Sequence, residues 1–561
     1  MKKWISLILA LCMALTFCVA FAEEEEAWSK EQYAAAAKIV TDVSGDYTGK
    51  TVILHSNDVH GQINGYAYIA GLRSRFEGLG AEVIVADVGD FSQGDVYVSF
   101  SKGETAWEVM KAVKYDILTL GNHDFDYGYE RLMEHIGKSD LPVICGNVYL
   151  DETGEAILPA TKIIETRGGL KLGFFGLSTP ETVTKVNPAL IQMITFSNAE
   201  KLYEVGQKAV DELKDADLVI GLTHLGVDHE SVSNGTSSLN LLEHLEGADL
   251  LLDGHAHFVM TTGQHGEPIQ STGTKFEYVG AVVIDNESKA IEDRFLIPTY
   301  VKNDLYELNA ADPDVKAVSD RIMADVDAVY NEVFASSEVL LNGERDPGNR
   351  TEETNLGDLI TDAMVWSVVK EGGFEQDEIH AVVGITNGGG IRATIEAGDV
   401  TRKDITRTLP FGNTVAVAYV TGEELLEVLE ASTFCTPKAV GGFPQTSGIE
   451  WTLDTTKAYD EGPLYVLNGK EGTYHSPASI QRVSIQKING EDFNPKGVYA
   501  VVTNDFCVVG GDTYNVLGRS NEFFDTGVPV DEAVMQYVEQ VLEGKITQET
   551  YGAPQGRMTI K

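Results

Sequence analysis

Five short apolar runs, each closed by a cluster of Gly, Asn, Asp or His, punctuate the first half of this chain. The runs are Thr51–Leu54, Val83–Ala86, Ile117–Leu120, Leu218–Leu222 and Leu250–Leu252. Stretches of more helical composition separate them. Strands alternating with helices predict stacked α/β layers. In open α/β sheets ligands gather beyond the carboxyl ends of the strands, where these clusters fall. A length of 561 residues exceeds what one hydrophobic core supports, so two or three domains are expected.

The formal net charge of -44 argues against binding long nucleic acids, which needs basic patches. It leaves small anionic substrates open, because a metal site reverses the local field. At the amino terminus, Lys2 and Lys3 precede an apolar run from Trp4 to Phe21. Ala20-Phe21-Ala22 fits a small-x-small cleavage pattern, and Glu23–Glu26 follows. Residues 1–22 therefore read as a signal peptide, and the mature chain as exported without a membrane span. Leu15-Thr16-Phe17 sits poorly before a lipidated Cys18. Removal of the leader leaves Cys145, Cys435 and Cys507, an odd number without a CxxC pair. All three are expected to be buried small residues rather than a disulfide framework or metal ligands.

Apolar residues Val315, Val318, Ile322, Val326, Val329 and Val333 recur three or four apart, predicting an amphipathic helix over 315–333 with Pro313 near its start. This helix reads as a connector. Beyond it, Ala381–Thr386 precedes Asn387-Gly388-Gly389-Gly390, and Tyr499–Thr503 precedes a loop ending Gly510-Gly511-Asp512. Both read as strands running into loops.

Ten of the 12 histidines lie at or before His265, and five of them fall in the strand-end clusters. The clusters hold Asp58 and His60, Asp90, Asn122 and His123, His224, and His255 and His257. Asp58 and His60 are two apart, so on extended chain they point the same way and can grip one ion. His255 and His257 can do the same from another strand end. A carboxylate has two oxygens, so Asp90 can bridge two cations. Nitrogen and oxygen ligands without thiolate suit Zn, Mn, Fe or Ni. Two divalent ions about 4 Å apart would clamp phosphoryl oxygens and generate hydroxide at neutral pH. His123 adjoins Asn122, so its imidazole can stabilise developing charge, with Asp126 one turn on to orient it. Of the other histidines, only His55 lies near enough to stand behind the site.

The order D-x-H, G-D, G-N-H-D, T-H, G-H-x-H resembles the calcineurin-like metallophosphoesterases. Asn57-Asp58-x-His60-Gly61 and Asn122-His123-x-Phe125-Asp126-x-Gly128 narrow the resemblance to the bacterial 5′-nucleotidase family, relatives of UDP-sugar hydrolase and animal ecto-5′-nucleotidase. The resemblance implies one metal site of Asp58, His60, Asp90 and His257, and a second of Asp90, Asn122, His224 and His255. It implies a catalytic dyad of His123 and Asp126. His257 stands where the UDP-sugar hydrolase branch has glutamine.

From the residues alone, the glycine triplet before Arg392 lets bare backbone approach a ligand while Arg392 grips phosphate. Phe411 and Phe506 lie on predicted loops, and two rings can sandwich a planar base. Asp512 can accept from a ribose hydroxyl. Arg350-Thr351-x-Glu353-Thr354-Asn355-Leu356-Gly357, the NGGGIR run at 387–392, LPFGN at 409–413 and the Phe506-x5-Asp512 spacing resemble the family's C-terminal domain. That resemblance implies nucleotide contacts from Arg350, Asn387, Gly389 and Arg392, base stacking by Phe411 and Phe506, and ribose contact by Asp512. Glu352 stands where some members carry a second phosphate-contacting arginine.

The fold expected is α/β. A lead segment at 23–48 precedes a four-layer αββα metallophosphatase domain at 49–305. A helical linker and hinge follows at 306–340, then an α/β substrate-binding domain at 341–561. The activity expected is hydrolysis of nucleoside 5′-monophosphates by a metal-activated hydroxide. UDP-sugars, 2′,3′-cyclic nucleotides, NAD or a sulfur ester are alternative substrates for the same metals. A catalytically silent surface nucleotide-binding protein is the alternative of another class, against which the intact His123 and Asp126 speak.

Overall fold

The computed structural model describes residues 28–186, 190–301, 304–305, 311–370, 379–467, 470–519 and 523–561. The expected leader and residues 306–310 of the expected linker lie outside the described residues.

The amino-terminal unit contains strands β1 (Lys50–Ser56), β2 (Glu82–Asp87), β3 (Ile117–Leu118), β4 (Thr161–Glu165), β5 (Lys171–Ser178), β6 (Leu218–His224), β7 (Leu250–Asp253), β8 (Val259–Met260), β9 (Ile269–Thr272), β10 (Tyr278–Asp285) and β11 (Ala290–Pro298). They form one sheet in the order β11-β10-β1-β2-β3 and another in the order β8-β9-β7-β6-β5-β4. The five apolar runs of the sequence are β1, β2, β3, β6 and β7. Strand pairing is parallel from β1 through β3, from β5 through β7 and between β7 and β9, and antiparallel at the outer pairs β10–β1, β11–β10, β4–β5 and β8–β9.

Alternation along the strands fixes the layers. On β1, Ile53 faces inward and meets Phe174, Ile220, Leu222 and Leu252 of the other sheet in a dry core. Its neighbours Val52 and Leu54 face outward. There they pack under helices α1 (Tyr66–Gly78) and α2 (Glu104–Val113), which bury Leu72, Phe76, Trp107 and Met110. The second sheet's outer face, with Phe175, Leu177, Val219 and Leu251, packs under α3 (Ala199–Glu212). Helix, sheet, sheet, helix is the four-layer arrangement expected. Each fully buried Leu, Val or Phe contributes about 1.5–3 kcal/mol to holding it together.

The connector helix, α4 (Pro313–Tyr330), is capped by Asp312, whose carboxylate accepts from the Asp314 and Val315 amides. Val315 and Ile322 bury into the amino-terminal core. The predicted stripe continues too far. The helix ends at Tyr330, Val329 is exposed, and Val333 is exposed at the start of a strand over Val333–Ser337. Past Val326 the contacts are polar or edge-on, Asp327 with Tyr97 and Lys403 and the Tyr330 ring 6.0 Å from that of Phe100, so the buried apolar stripe stops before the periodicity does.

The carboxy-terminal unit is built on β12 (Ala381–Asn387), β13 (Thr414–Thr421), β14 (Pro444–Ser447), β15 (Val498–Asn504) and β16 (Phe523–Pro529), in the order β14-β12-β15-β13-β16. On β13, Val415 and Val417 pack toward α5 (Asn355–Val369). Ala416, Ala418 and Val420 pack toward α6 (Gly422–Ser432). Both faces are covered. Cys145 and Cys507 are buried as expected, whereas Cys435 is only half-buried; all three are free thiols. Among the described residues, no helix is long and apolar enough to cross a membrane.

Candidate active site

The register of the sheets brings the clusters together. β1 and β2 end level, with Ser56 beside Asp87, so the loops that follow leave side by side. The Asp58 amide donates to Gly89 O and the His60 amide to Asp90 O, each at 3.0 Å. His224 closes β6, and its Nδ1 lies 2.6 Å from Val88 O, tying the second sheet's end to the first. That hydrogen bond holds a proton on Nδ1 and aims Nε2 into the site.

The expectation of extended chain at the paired ligands fails. Asp58, His60, Asp90, His255 and His257 all have positive φ, between 44° and 74°. These residues lie past the strand ends on tight turns, and the left-handed backbone itself swings their side chains inward. For non-glycine residues this conformation is costly and persists only where surroundings enforce it. The enforcement is visible. Asp124 accepts from the amides of Asp90 (2.9 Å), Gly121 (2.9 Å) and Ser92 (3.0 Å) and from Ser92 Oγ (2.7 Å). Asn57 donates to Asp58 Oδ2 at 2.7 Å and to Gly273 O at 2.9 Å. Gly121 must be glycine, because a Cβ there would lie 2.2 Å from Asp90 Oδ1.

Five buried or nearly buried donors face one another. His257 Nε2 lies 3.1 Å from His60 Nε2 and 3.3 Å from Asp58 Oδ1. His224 Nε2 lies 3.2 Å from Asp90 Oδ2 and 3.9 Å from Asp58 Oδ1. Asp90 Oδ2 is also 3.7 Å from His60 Nε2, so this carboxylate stands between two sets of imidazoles. Asp58, His60 and His257 form one group able to hold an ion, and Asp58, Asp90 and His224 another. His255 Nδ1 and Asn122 Oδ1 meet at 2.8 Å, with the His255 ring 5.5 Å from that of His224. Burial pushes His60 and His257 well below their ordinary range, keeping them neutral as ligands require. Burial and the neighbouring Asp90 push Asp58 up to about 6, against the pull of His224. Burial opposes charge on His224, but Asp90 and Asp58 raise it to about 10. His224 Nε2 has no hydrogen-bond partner among the described residues. Opposed lone pairs, two carboxylates and a buried unpartnered imidazole nitrogen fit a divalent cation.

His123 Nδ1 lies 2.8 Å from Asp126 Oδ2, and its backbone amide donates to Asp90 Oδ1 at 2.8 Å. The dyad therefore hangs directly on the donor cluster. Its ring is 5.5 Å from Phe411, which comes from the other unit. A cavity of about 380 Å³ runs from Asp90, Asn122, His123 and His255 to Arg350, Asn387, Gly389, Arg392, Phe411, Phe506 and Asp512. All seven residues expected at the substrate thus share one cavity with Asp90, Asn122, His255 and His257. Arg392 Cζ lies 5.6 Å over the Phe411 ring. Phe506 is 7% exposed, and Gly511 leaves room for its ring, since a Cβ there would lie 2.4 Å from it. Gly388 packs on the Asn349 carbonyl, 1.8 Å from where a Cβ would stand. Asn387 Nδ2 donates to Asp512 Oδ2 at 2.8 Å.

Sequence reasoning missed several groups. Arg345 also lines the cavity, with Nη2 3.7 Å from Asp228 of the other unit, and adds a cation near Arg350 despite Glu352. Glu181 is buried with Oε2 3.1 Å from His255 Nε2. Asp124 is the hub described above. None of these stands at a recognisable spacing from the clusters, although Asp124 lies within one of them. His55, thought close enough to stand behind the site, is instead buried against Gly280 on β10, where burial lowers it to about 3.

Two carboxylates and several imidazoles at the strand ends of an αββα sandwich, beside a His–Asp dyad, define a metal-dependent phosphoric ester hydrolase. Comparison with known proteins agrees. Residues 51–259 match the family described as calcineurin-like phosphoesterase, and residues 333–519 match the 5′-nucleotidase C-terminal domain. The chain belongs to the 5′-nucleotidase family that joins these two domains. It is 27% identical over 545 residues to a 5′-nucleotidase of Vibrio cholerae, covering 88% of this chain and 91% of that one. It is 28% identical over 519 residues to the trifunctional nucleotide phosphoesterase protein YfkN of Bacillus subtilis, matching 85% of this chain but only 33% of that relative's length. The crystal structure of a 5′-nucleotidase precursor from Thermus thermophilus superposes with a TM-score of 0.73 at 25% identity, covering 91% of this chain and 99% of that one.

Proposed function

We propose that the protein hydrolyses nucleoside 5′-monophosphates to nucleoside and phosphate. One observation carries the reading. The cavity lined by Asp90, Asn122, His255 and His257 at the edge of the donor cluster, and by the His123–Asp126 dyad, is also lined by Phe411, Phe506 and Asp512. A phosphate beside the donors and a base beside the rings can therefore belong to one molecule.

In this reading Asp58, His60, Asp90 and His257 hold one divalent ion, and Asp90, Asn122, His224 and His255 a second. When bound, the ions supply Lewis acidity to a phosphoryl oxygen and to the attacking water. Arg350 and Arg392, with Asn387 and the bare backbone of Gly389, grip phosphate oxygens. Phe411 and Phe506 stack the base, and Asp512 accepts from a ribose hydroxyl. His123, oriented by Asp126, stabilises charge as the ester bond breaks and assists the departing 5′-oxygen. Rotation of one domain against the other about 306–340 admits substrate and releases product. The basic and apolar residues at 1–22 support export from the cytoplasm.

Phosphate release from AMP, UMP, UDP-glucose and phenyl phosphate, each with Mn or Zn added, tests the reading. Release from AMP or UMP exceeding that from phenyl phosphate supports it. Release from phenyl phosphate alone leaves the metal centre standing and refutes the nucleotide assignment.

A further inference from the structure

We propose that Lys185, carried by the metallophosphoesterase domain, is a positioning residue for the nucleoside subsite of the other domain. The inference rests on the nucleotidase reading above, in which Asp512 meets the ribose.

An ammonium group has three donors. Those of Lys185 have three partners: Glu230 Oε1 at 2.6 Å, Tyr474 OH at 2.5 Å and Asp512 Oδ1 at 3.4 Å. Glu230 belongs to the same domain as Lys185; Tyr474 and Asp512 come from the other. Tyr474 also donates to Glu230, so the cluster closes on itself. The Lys185 side chain is 12% exposed, and those of Glu230 and Asp512 less than that. Burial opposes the charge of Lys185, but Glu230 and Asp512 more than offset it and hold the ammonium above its ordinary range.

The consequence falls on Asp512. Asn387 holds one of its oxygens and Lys185 the other, so the carboxylate is fixed while its remaining lone pairs face the cavity. Without Lys185, the carboxylates of Glu230 and Asp512 would lie near each other, buried and uncompensated, and would turn apart. An acceptor fixed before substrate arrives costs less to engage than one that must be ordered on binding. Lys185 also ends a short helix, Thr182–Lys185, that follows Glu181, the partner of His255. One turn of chain thus touches both the donor cluster and the nucleoside subsite. Lys185 reaches Asp512 only with the two domains together, so the ribose acceptor is completed by closure.

The test is steady-state kinetics with AMP for Lys185→Met, Lys185→Gln, Lys185→Arg, Asp512→Asn and the Lys185→Met/Asp512→Asn double variant, with thermal midpoints measured alongside. Loss of one charge-assisted contact predicts a KM about tenfold higher in Lys185→Met, Lys185→Gln and Asp512→Asn, with kcat within about twofold. Because both residues act through one contact, the double variant also shows an increase of about tenfold. Lys185→Arg restores KM to within about threefold. Should Lys185→Met fail to fold, Lys185→Gln, which keeps a donor for Glu230, carries the comparison. A KM within about twofold of the parent in the folded variants, or a double variant raised about a hundredfold, overturns the proposal. Those results would leave the parent enzyme's AMP hydrolysis intact. A parent that hydrolyses phenyl phosphate and not AMP overturns the nucleotidase reading and this proposal together.

Discussion

Glu181→Gln separates a supporting group from the ligands it supports. Glu181 is fully buried, with Oε2 3.1 Å from His255 Nε2 and Oε1 3.1 Å from Thr236 Oγ1. Its carboxylate fixes which ring nitrogen of His255 carries the proton, leaving Nδ1 beside Asn122 free to coordinate. An amide can still accept from His255, so the geometry survives, but the negative charge that strengthens the imidazole as a ligand is lost. Outer partners of this kind are worth about 10–100-fold in metal affinity. That range is about 1.4–2.8 kcal/mol. Because the amide keeps one hydrogen bond, the lower half of the range is expected, and only at the site that uses His255. Equilibrium dialysis against Mn, with ions per chain counted by mass spectrometry, would show one site unchanged and one weakened. Two sites with affinities within about twofold of the parent would refute the reasoning.

Other perturbations have equally definite outcomes. Metal uptake displaces the proton of His224, held near 10, at neutral pH, and also that of Asp58 below its value of about 6. At the site that uses His224 apparent metal affinity should fall about tenfold per pH unit from pH 8 to 7, and at the site that uses Asp58 a fall of the same steepness should begin only below about pH 6, in a competition titration with a fluorescent chelator. Gly121→Ala forces a methyl onto Asp90 Oδ1, 2.2 Å away, and should abolish metal binding measured by the same dialysis. Phe174→Ala opens a cavity between the two sheets of the amino-terminal domain and should cost about 3–5 kcal/mol in urea unfolding. His123→Ala should lower kcat for AMP about 10²–10⁴-fold while the metal content stays at the parent level.

The convergence of donors at one end of the molecule was legible because strands announce themselves as apolar runs and candidate ligands cluster where they stop. Asp58, Asp90, His123 and His224 were readable for that reason. What escaped has physical causes. The left-handed turns at Asp58 and Asp90 are held by hydrogen bonds that Asn57 donates and Asp124 accepts, and those at His60 and His255 by their amides donating to Asp90 O and to the Asp58 carboxylate, none of which has a local signature. Glu181, Lys185 and Arg345 are ordinary charged residues in sequence, and only the fold brings them to His255, Asp512 and the cavity. The linker helix, read as starting at 315 with Pro313 near its start, begins at Pro313, a small difference because its cap is local. Its end was misplaced because it depends on where the buried apolar stripe stops. Strands β10 and β11, which complete the first sheet, carry no ligand cluster and were passed over.

The central claim is that one cavity joins hydrolytic metal centre to nucleoside site, and the ratio of kcat/KM for AMP to that for phenyl phosphate tests it most directly. Base stacking alone is worth about 1–3 kcal/mol per ring face. With two rings and Asp512 engaged, the Mn-loaded enzyme should prefer AMP by about a hundredfold or more, and Phe411→Ala together with Phe506→Ala should erase most of that preference. Equal kcat/KM for the two esters, unchanged by removing the rings, would contradict it.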